Sequence, residues 1–332
     1  MIWLTWRQFR IQALVAAVAL FAVAAYLLYL GVQIRHDYAA DVVNCVPSDC
    51  ATTRRLFSDR YEAPVALLGA LLIAVPGFIG VFWGAPLVAR ELEAHTDRLV
   101  WNQSVTRRRW LAVKLAVLGA AAVAVTGVYS LLLTWNASRY DQWAGGRFGA
   151  MNFASRDVTP LGYALFAFTL GVVVGLLVRR TVASMAIVAG AFVVLQIVVP
   201  NVVRVHLMPP ITTDVAFTAD VMEHANGFGF NDTSARIIGY TMPGAWSMDP
   251  VSQIYNADGT PYNAKQARPC VTGDRAQDQD CMAKQHLHFQ YTYQPGRRYW
   301  PFQWIELSAY TALSALLAAF GLWRVRRRVT LR

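Results

Sequence analysis

The sequence predicts an all-α polytopic membrane protein. It has six transmembrane helices, both termini on the cytoplasmic side, and an extracellular domain containing some β structure between helices 5 and 6. Three observations carry this. The 332 residues are 56% hydrophobic and 15% charged, against about 25% charged in a soluble domain. Six apolar runs of membrane-spanning length are present. Basic residues crowd one side of them. The mean hydropathy of only +0.34 requires a sizeable polar portion as well.

A hydrocarbon core needs about 20 apolar residues per helix. Ile11 to Ile34, Ala63 to Ala89, Leu115 to Trp135, Leu161 to Val178, Thr181 to Val203 and Phe302 to Trp323 meet that need. Arg179 and Arg180 alone separate the fourth run from the fifth. One helix through both would hold them in hydrocarbon at roughly 2.5–3.5 kcal/mol each, so they mark a tight turn at the membrane surface. The first run is longer than a signal-peptide core and is read as a retained helix.

With six spans both termini share a side. If that side is inner, the inner segments hold 15 basic residues and 3 acids (Glu91, Glu93, Asp97), and the outer segments hold 15 and 16. The whole charge excess of +10 then lies inside, as the positive-inside rule requires. No basic domain is present to bind nucleic acid, and the basic faces meet membrane lipid instead. Trp3, Trp6, Trp110 and Trp323 flank the inner ends, and Tyr26, Tyr29, Trp135, Trp300 and Trp304 the outer ends, like interfacial belts. Cys45, Cys50, Cys270 and Cys281 all fall in outer loops, which suits an oxidising exterior and disulfides. Four cysteines allow three pairings; pairing of neighbours is the simplest. Arginine outnumbers lysine 27 to 3, a usage typical of GC-rich bacterial genomes such as those of actinobacteria.

The domain limits follow in chain order. Residues 1–10 read as an interfacial amphipathic helix or as the frayed start of the first span. Residues 11–203 hold helices 1–5 with an inner loop at 90–114. Residues 204–301 are too long for a connector and form the extracellular domain. Residues 302–323 are helix 6, and 324–332 a basic cytoplasmic tail. In the extracellular domain KQHLHFQYTYQ, residues 284–294, alternates with period two and predicts a half-buried strand. His286 and His288 then share a face; the reading is a solvated pair rather than a metal site. Asn136 and Asn231 begin glycosylation sequons that are discounted for a bacterial chain.

Chemistry is sparse in the apolar runs. They carry no Asp, no His-Glu-x-x-His, and no Ser–Lys or Ser–His pair, so an intramembrane enzyme is disfavoured and no catalytic residue is assigned. Glu306 reads as a snorkelling or interface-capped acid; the alternative is a partner for a cationic substrate group or an arginine. Gln12 and Gln196 suit hydrogen bonds between helices. Pro64, Pro76, Gly77, Gly80, Gly84 and Pro86 predict a kinked second span that permits close helix approach. Phe78, Phe82 and Trp83 share one stretch of it, as packing or as contacts to a hydrophobic substrate. With Gln196 and Glu306 they are the candidate substrate-pathway residues. Gly171-Val-Val-Val-Gly175 is a small-residue packing motif.

The inner loop after the kinked helix concentrates the only inner acids, with Glu91 and His95 one helical turn apart. It resembles the coupling-helix region of ABC transporter permeases of the type-2 exporter superfamily. There a kinked second span is followed by Arg-Glu-x-Glu-x-Gly-Thr and then Pro-Val-Ser-Arg. Arg90, Glu91, Glu93 and Thr96 match the first block, and Val105, Thr106 and Arg107 approximate the second. His95 replaces the usual Gly and Ser104 the usual Pro. The resemblance implies an ATPase-coupling surface at Arg90, Glu91, Glu93, His95, Thr96 and Arg98. It implies a dimer with a second permease copy or a paralogue, and a cytosolic ATPase subunit carrying ATP and magnesium. This chain has no phosphate-cradling G-x-x-x-x-G-K-[ST] loop, and no cofactor is expected on it. The implied activity is export of a drug, antibiotic, peptide or lipid across a bacterial plasma membrane. The other reading is a non-transporting sensor or assembly protein whose extracellular domain binds a ligand.

Overall fold

The computed structural model describes residues 2–45, 50–94, 106–141, 146–242, 244–270, 272 and 275–327. Residues 2–8 are described by backbone alone. Among the described residues, six helices are long and apolar enough to cross a membrane: span 1 (Phe9–Val42), span 2 (Thr52–Glu93), span 3 (Arg107–Ala137), span 4 (Thr159–Val178), span 5 (Thr181–His206) and span 6 (Gly296–Arg326). Each contains one of the six apolar runs.

The chain forms two compact units. One, helical, comprises Met1–Ala144, Ala150–Val205 and Trp300–Arg332; the other comprises Gly145–Gly149 and His206–Tyr299. Arg204 therefore belongs to the helical unit and not, as expected, to the start of the extracellular domain. It is fully buried there. By sequence, residues 1–10 are open between an interfacial helix and the start of the first span. The helix starting at Ile2 runs unbroken to Asp37, because no Gly or Pro interrupts the sequence before Gly31.

Span 4 is the centre of the helical unit. Some 72% of its apolar stretch is buried, against 11% for span 1. Span 4 ends at Arg179, whose φ of 60° is left-handed, and Arg180 is extended before span 5 begins. The expected tight turn is thus made by two residues. Spans 1 and 3 are locked by Asn136, whose side chain donates to the Leu27 carbonyl at 2.7 Å. Its complete burial also removes it as a glycan acceptor.

In the second unit, strands β1 (Ile211–Ala216), β2 (Gly227–Phe230), β3 (Ala235–Ile238), β4 (Trp246–Ser247), β5 (Val251–Tyr255) and β6 (His288–Gln294) form one sheet in the order β1-β6-β5-β3-β2, with β4 also on β6. All pairs are antiparallel. Strand β6 keeps the expected phase: Phe289 and Tyr291 are buried and Gln290 is exposed. Tyr240 sits edge-on to both buried rings. Phe148, from the segment between spans 3 and 4, stacks on Trp246 at 5.7 Å, which accounts for its place in this unit.

Candidate functional site

The site begins with a break in helical regularity. Span 2 is α-helical from Cys50 to Phe78, a π-helix from Ile79 to Gly84, and α-helical again from Ala85 to Glu93. Pro76 and Pro86 bracket the wide turn, each removing one backbone donor. Pro86 has no N–H to return to the Phe82 carbonyl. The Gln12 side chain reaches that oxygen at 3.4 Å, a contact between spans 1 and 2 of the kind expected for Gln12.

The wide turn is seated on span 4 through glycines. A Cβ on Gly171 would stand 2.3 Å from the Gly80 carbonyl oxygen, and one on Gly84 would stand 2.5 Å from that of Phe168. A Cβ on Gly175 would stand 2.6 Å from the Ala85 carbonyl oxygen. These approaches are backbone to backbone, and only glycine permits them. The Gly171–Gly175 motif and the glycines of span 2 are two halves of one interface.

On its other side the same stretch lines a cavity of about 540 Å³, within the usual range of ligand pockets. Its walls come from span 1 (Ile11 to Val23), span 2 (Val75 to Arg90), span 3 (Val125, Tyr129) and the start of span 5 (Thr181, Met185). Phe78, Phe82 and Trp83 all line it. Phe78 and Phe82 stack at 6.0 Å, and Trp83 meets Phe9 edge-on at 4.7 Å. The wall is almost wholly apolar. Tyr129 turns its hydroxyl onto the Leu68 carbonyl at 2.8 Å. Gln196 and Glu306 do not line the cavity, so the five pathway candidates are not brought together. Gln196 Nε2 is buried with no hydrogen-bond partner among the described residues.

Below the cavity, the end of span 2 carries Arg90, Glu91 and Glu93. Glu91 accepts from Lys114 of span 3 at 2.5 Å. That lysine is 3% exposed and also lies over the Trp110 ring at 4.4 Å. Glu93 accepts from the Thr181 N–H at 3.0 Å and its hydroxyl at 2.7 Å, capping the first turn of span 5 with a carboxylate. Both acids therefore bond within the chain; the Glu91–His95 helix pair was the expectation. His95, Thr96 and Arg98 lie outside the described residues. Thr106 accepts from the Arg109 N–H at 3.3 Å and is the N-cap of span 3.

Sequence reasoning missed the polar core at the other end of the helical unit. Glu306 is not a snorkelling acid; it has the arginine partner of the alternative reading. It is 3% exposed and receives two hydrogen bonds from Arg204, at 2.9 and 3.0 Å, and one from the Tyr163 hydroxyl. The Arg204 guanidinium also covers the Phe153 ring at 4.0 Å. Three residues before Glu306, Gln303 accepts from the Thr159 N–H at 2.9 Å. A further buried pair, Arg156 with Asp141 at 3.1 Å, braces the segment before span 4. The missing signal was Arg204, assigned outside the apolar runs and so never matched with Glu306.

Cys45 pairs with Cys50 and Cys270 with Cys281, the neighbour pairing. His286 lies outside β6 in a left-handed turn, φ 53°, so it does not share a strand face with His288. His288 stacks on Tyr255 at 5.9 Å.

A family model described as ABC-2 membrane transporter related matches residues 17–204. Comparison with curated proteins and with solved structures finds no match. The matched region holds the π-turn, its glycine seat and most of the cavity wall. Six apolar helices and a family match over more than half of the sequence make this a multi-pass membrane protein, and the chain belongs to the ABC-2 membrane transporter-related family.

Proposed function

We propose that this chain is the transmembrane permease subunit of an ATP-driven exporter of amphipathic or hydrophobic molecules. ATP and magnesium are used by a separate cytosolic ATPase, and the pathway is completed by a second permease copy or a paralogue. The observation that carries the reading is the position of the cavity. Phe78, Phe82 and Trp83 line it on the same helix that ends, two turns later, in Arg90, Glu91 and Glu93.

The internal bonds of those acids refine the coupling idea. Glu91 holds span 3 through Lys114, and Glu93 holds span 5 through Thr181. A displacement of the loop by a docked ATPase would reach three spans at once. The segment with His95, Thr96 and Arg98 then offers the docking surface proper. The inner placement of both termini is supported by the charge asymmetry, and the outer placement of the sheet unit by its disulfide. The membrane is proposed to be the bacterial plasma membrane.

The test is purification of the tagged protein in mild detergent, with assay for a co-purifying ATPase. The expected result is a partner of about 30 kDa, the scale of one ATPase module, at one-to-one stoichiometry. Arg98→Glu should lower its recovery while membrane insertion stays normal. A homo-oligomer without ATPase in several detergents would favour the sensor or assembly reading.

A further inference from the structure

The charge along the cavity wall narrows what it can hold, given the permease reading above. Among the described residues, Arg90 is the one ionisable Lys, Arg, Asp, Glu or His side chain on the wall. No ion pair or side-chain hydrogen bond engages its guanidinium among the described residues, and it is exposed. The two other polar groups near it are committed: Thr181 to Glu93 and Gln12 to Phe82.

These groups all lie at one end of the cavity. The start of span 1, the end of span 2 and the start of span 5 share a membrane side, because successive spans alternate in direction. From Gln12 to Val23 the first span rises about 17 Å at roughly 1.5 Å per residue, some half of a hydrocarbon core of ~30 Å. Beyond Arg90 the wall is Ile11, Val15, Leu20, Val75, Phe78 and their apolar neighbours. One cation at the interface with an apolar slot reaching mid-membrane matches a molecule lying in one leaflet.

We propose that the cavity binds an anionic amphiphile from the leaflet nearest Arg90, its acidic head on the guanidinium and its hydrocarbon tail between Phe78, Phe82 and span 1. A cationic amphiphile of the same length is rejected, since its head would face Arg90 with no acid among the described wall residues to receive it. An exposed cation at the membrane surface, set at the mouth of an apolar slot, attracts an anionic head and repels a cationic one.

The test is equilibrium binding of 11-(dansylamino)undecanoate to the full chain in phosphatidylcholine nanodiscs, read by dansyl fluorescence. Binding should be saturable, displaced by dodecyl phosphate and not by dodecyltrimethylammonium. Arg90→Glu should weaken it at least tenfold, and Arg90→Lys by less. Ala16→Trp, and independently Val125→Trp, should abolish it by filling the cavity; size-exclusion profiles identify any variant that misfolds, and two filling sites guard against losing one. Equal displacement by the cation, or binding unchanged in Arg90→Glu or in the folded Trp variants, overturns the proposal. The assay needs no ATPase, so its failure leaves the permease reading to the co-purification result, and the reverse also holds.

Discussion

Arg204 and Glu306, 102 positions apart, meet through two hydrogen bonds and bury each other completely. Arg204 closes span 5 and Glu306 opens span 6. The stretch His206–Tyr299 that runs between them belongs to the sheet unit, so the pair ties together the two points at which the chain leaves and rejoins the helical unit.

Removing either partner strands a buried charge, which costs about 3–5 kcal/mol. Arg204→Ala and Glu306→Ala should each lower the thermal midpoint of the detergent-solubilised protein sharply. The double replacement Arg204→Met with Glu306→Leu should recover most of the loss. Single variants that melt like the parent would contradict the burial of the pair.

The glycine seat gives a second expectation. Gly171→Leu or Gly84→Leu must force the two backbones apart and should destabilise the protein by several kcal/mol, as overpacking does. Gly190→Ala is the matched control, because a Cβ there meets nothing within 4 Å. It should be neutral, or stabilising by up to ~1 kcal/mol through helix propensity. Differential scanning fluorimetry in one detergent separates the cases.

Lys114 and Glu91 predict an asymmetry at the other end. Glu91→Ala leaves Lys114 buried and unpaired, a cost of about 3–5 kcal/mol. Glu93→Ala removes an exposed carboxylate that caps span 5 and leaves no buried charge behind. Thermal midpoints should therefore fall much further for Glu91→Ala. Equal losses would mean that Lys114 finds another partner.

The Cys270–Cys281 bridge predicts a local effect. Cys270 is disulfide-bonded and fully buried, so a thiol reagent should label it only after the bridge is reduced and the unit is unfolded. Cys270→Ser with Cys281→Ser should loosen the sheet unit by about 2–4 kcal/mol. Limited proteolysis should then cut within His206–Tyr299 first. Proteolysis spread evenly over the chain would show that the bridge stabilises more than its own unit.

The helices were legible because hydrocarbon imposes length and composition on every span. The Arg179–Arg180 turn was legible for the same reason, since neither side chain can stay at depth. The strand at His288–Gln294 showed through its period of two. Phe78, Phe82 and Trp83 could be named from one helix, yet the cavity they line needs spans 1, 3 and 5, and no linear pattern states which spans meet. The same applies to the two ion pairs. Lys114 and Glu91 are 23 residues apart and Arg204 and Glu306 are 102 apart, and only packing makes partners of them. The acids of the inner loop were read as facing outward to a partner because nothing local betrays Lys114 or Thr181 as their companions.

With Gly80 and Gly84 in backbone contact with span 4, and Ile79 and Val88 packed in one cluster with Phe168 and Val172, spans 2 and 4 resist sliding past one another. They must travel as a single stiff blade. Any change of shape that opens or closes the cavity then falls to its opposite wall, where span 1 and the start of span 5 meet that blade through side chains. A stroke delivered at Arg90 to Glu93 would swing the blade as a whole and carry Tyr163 with it at the far end.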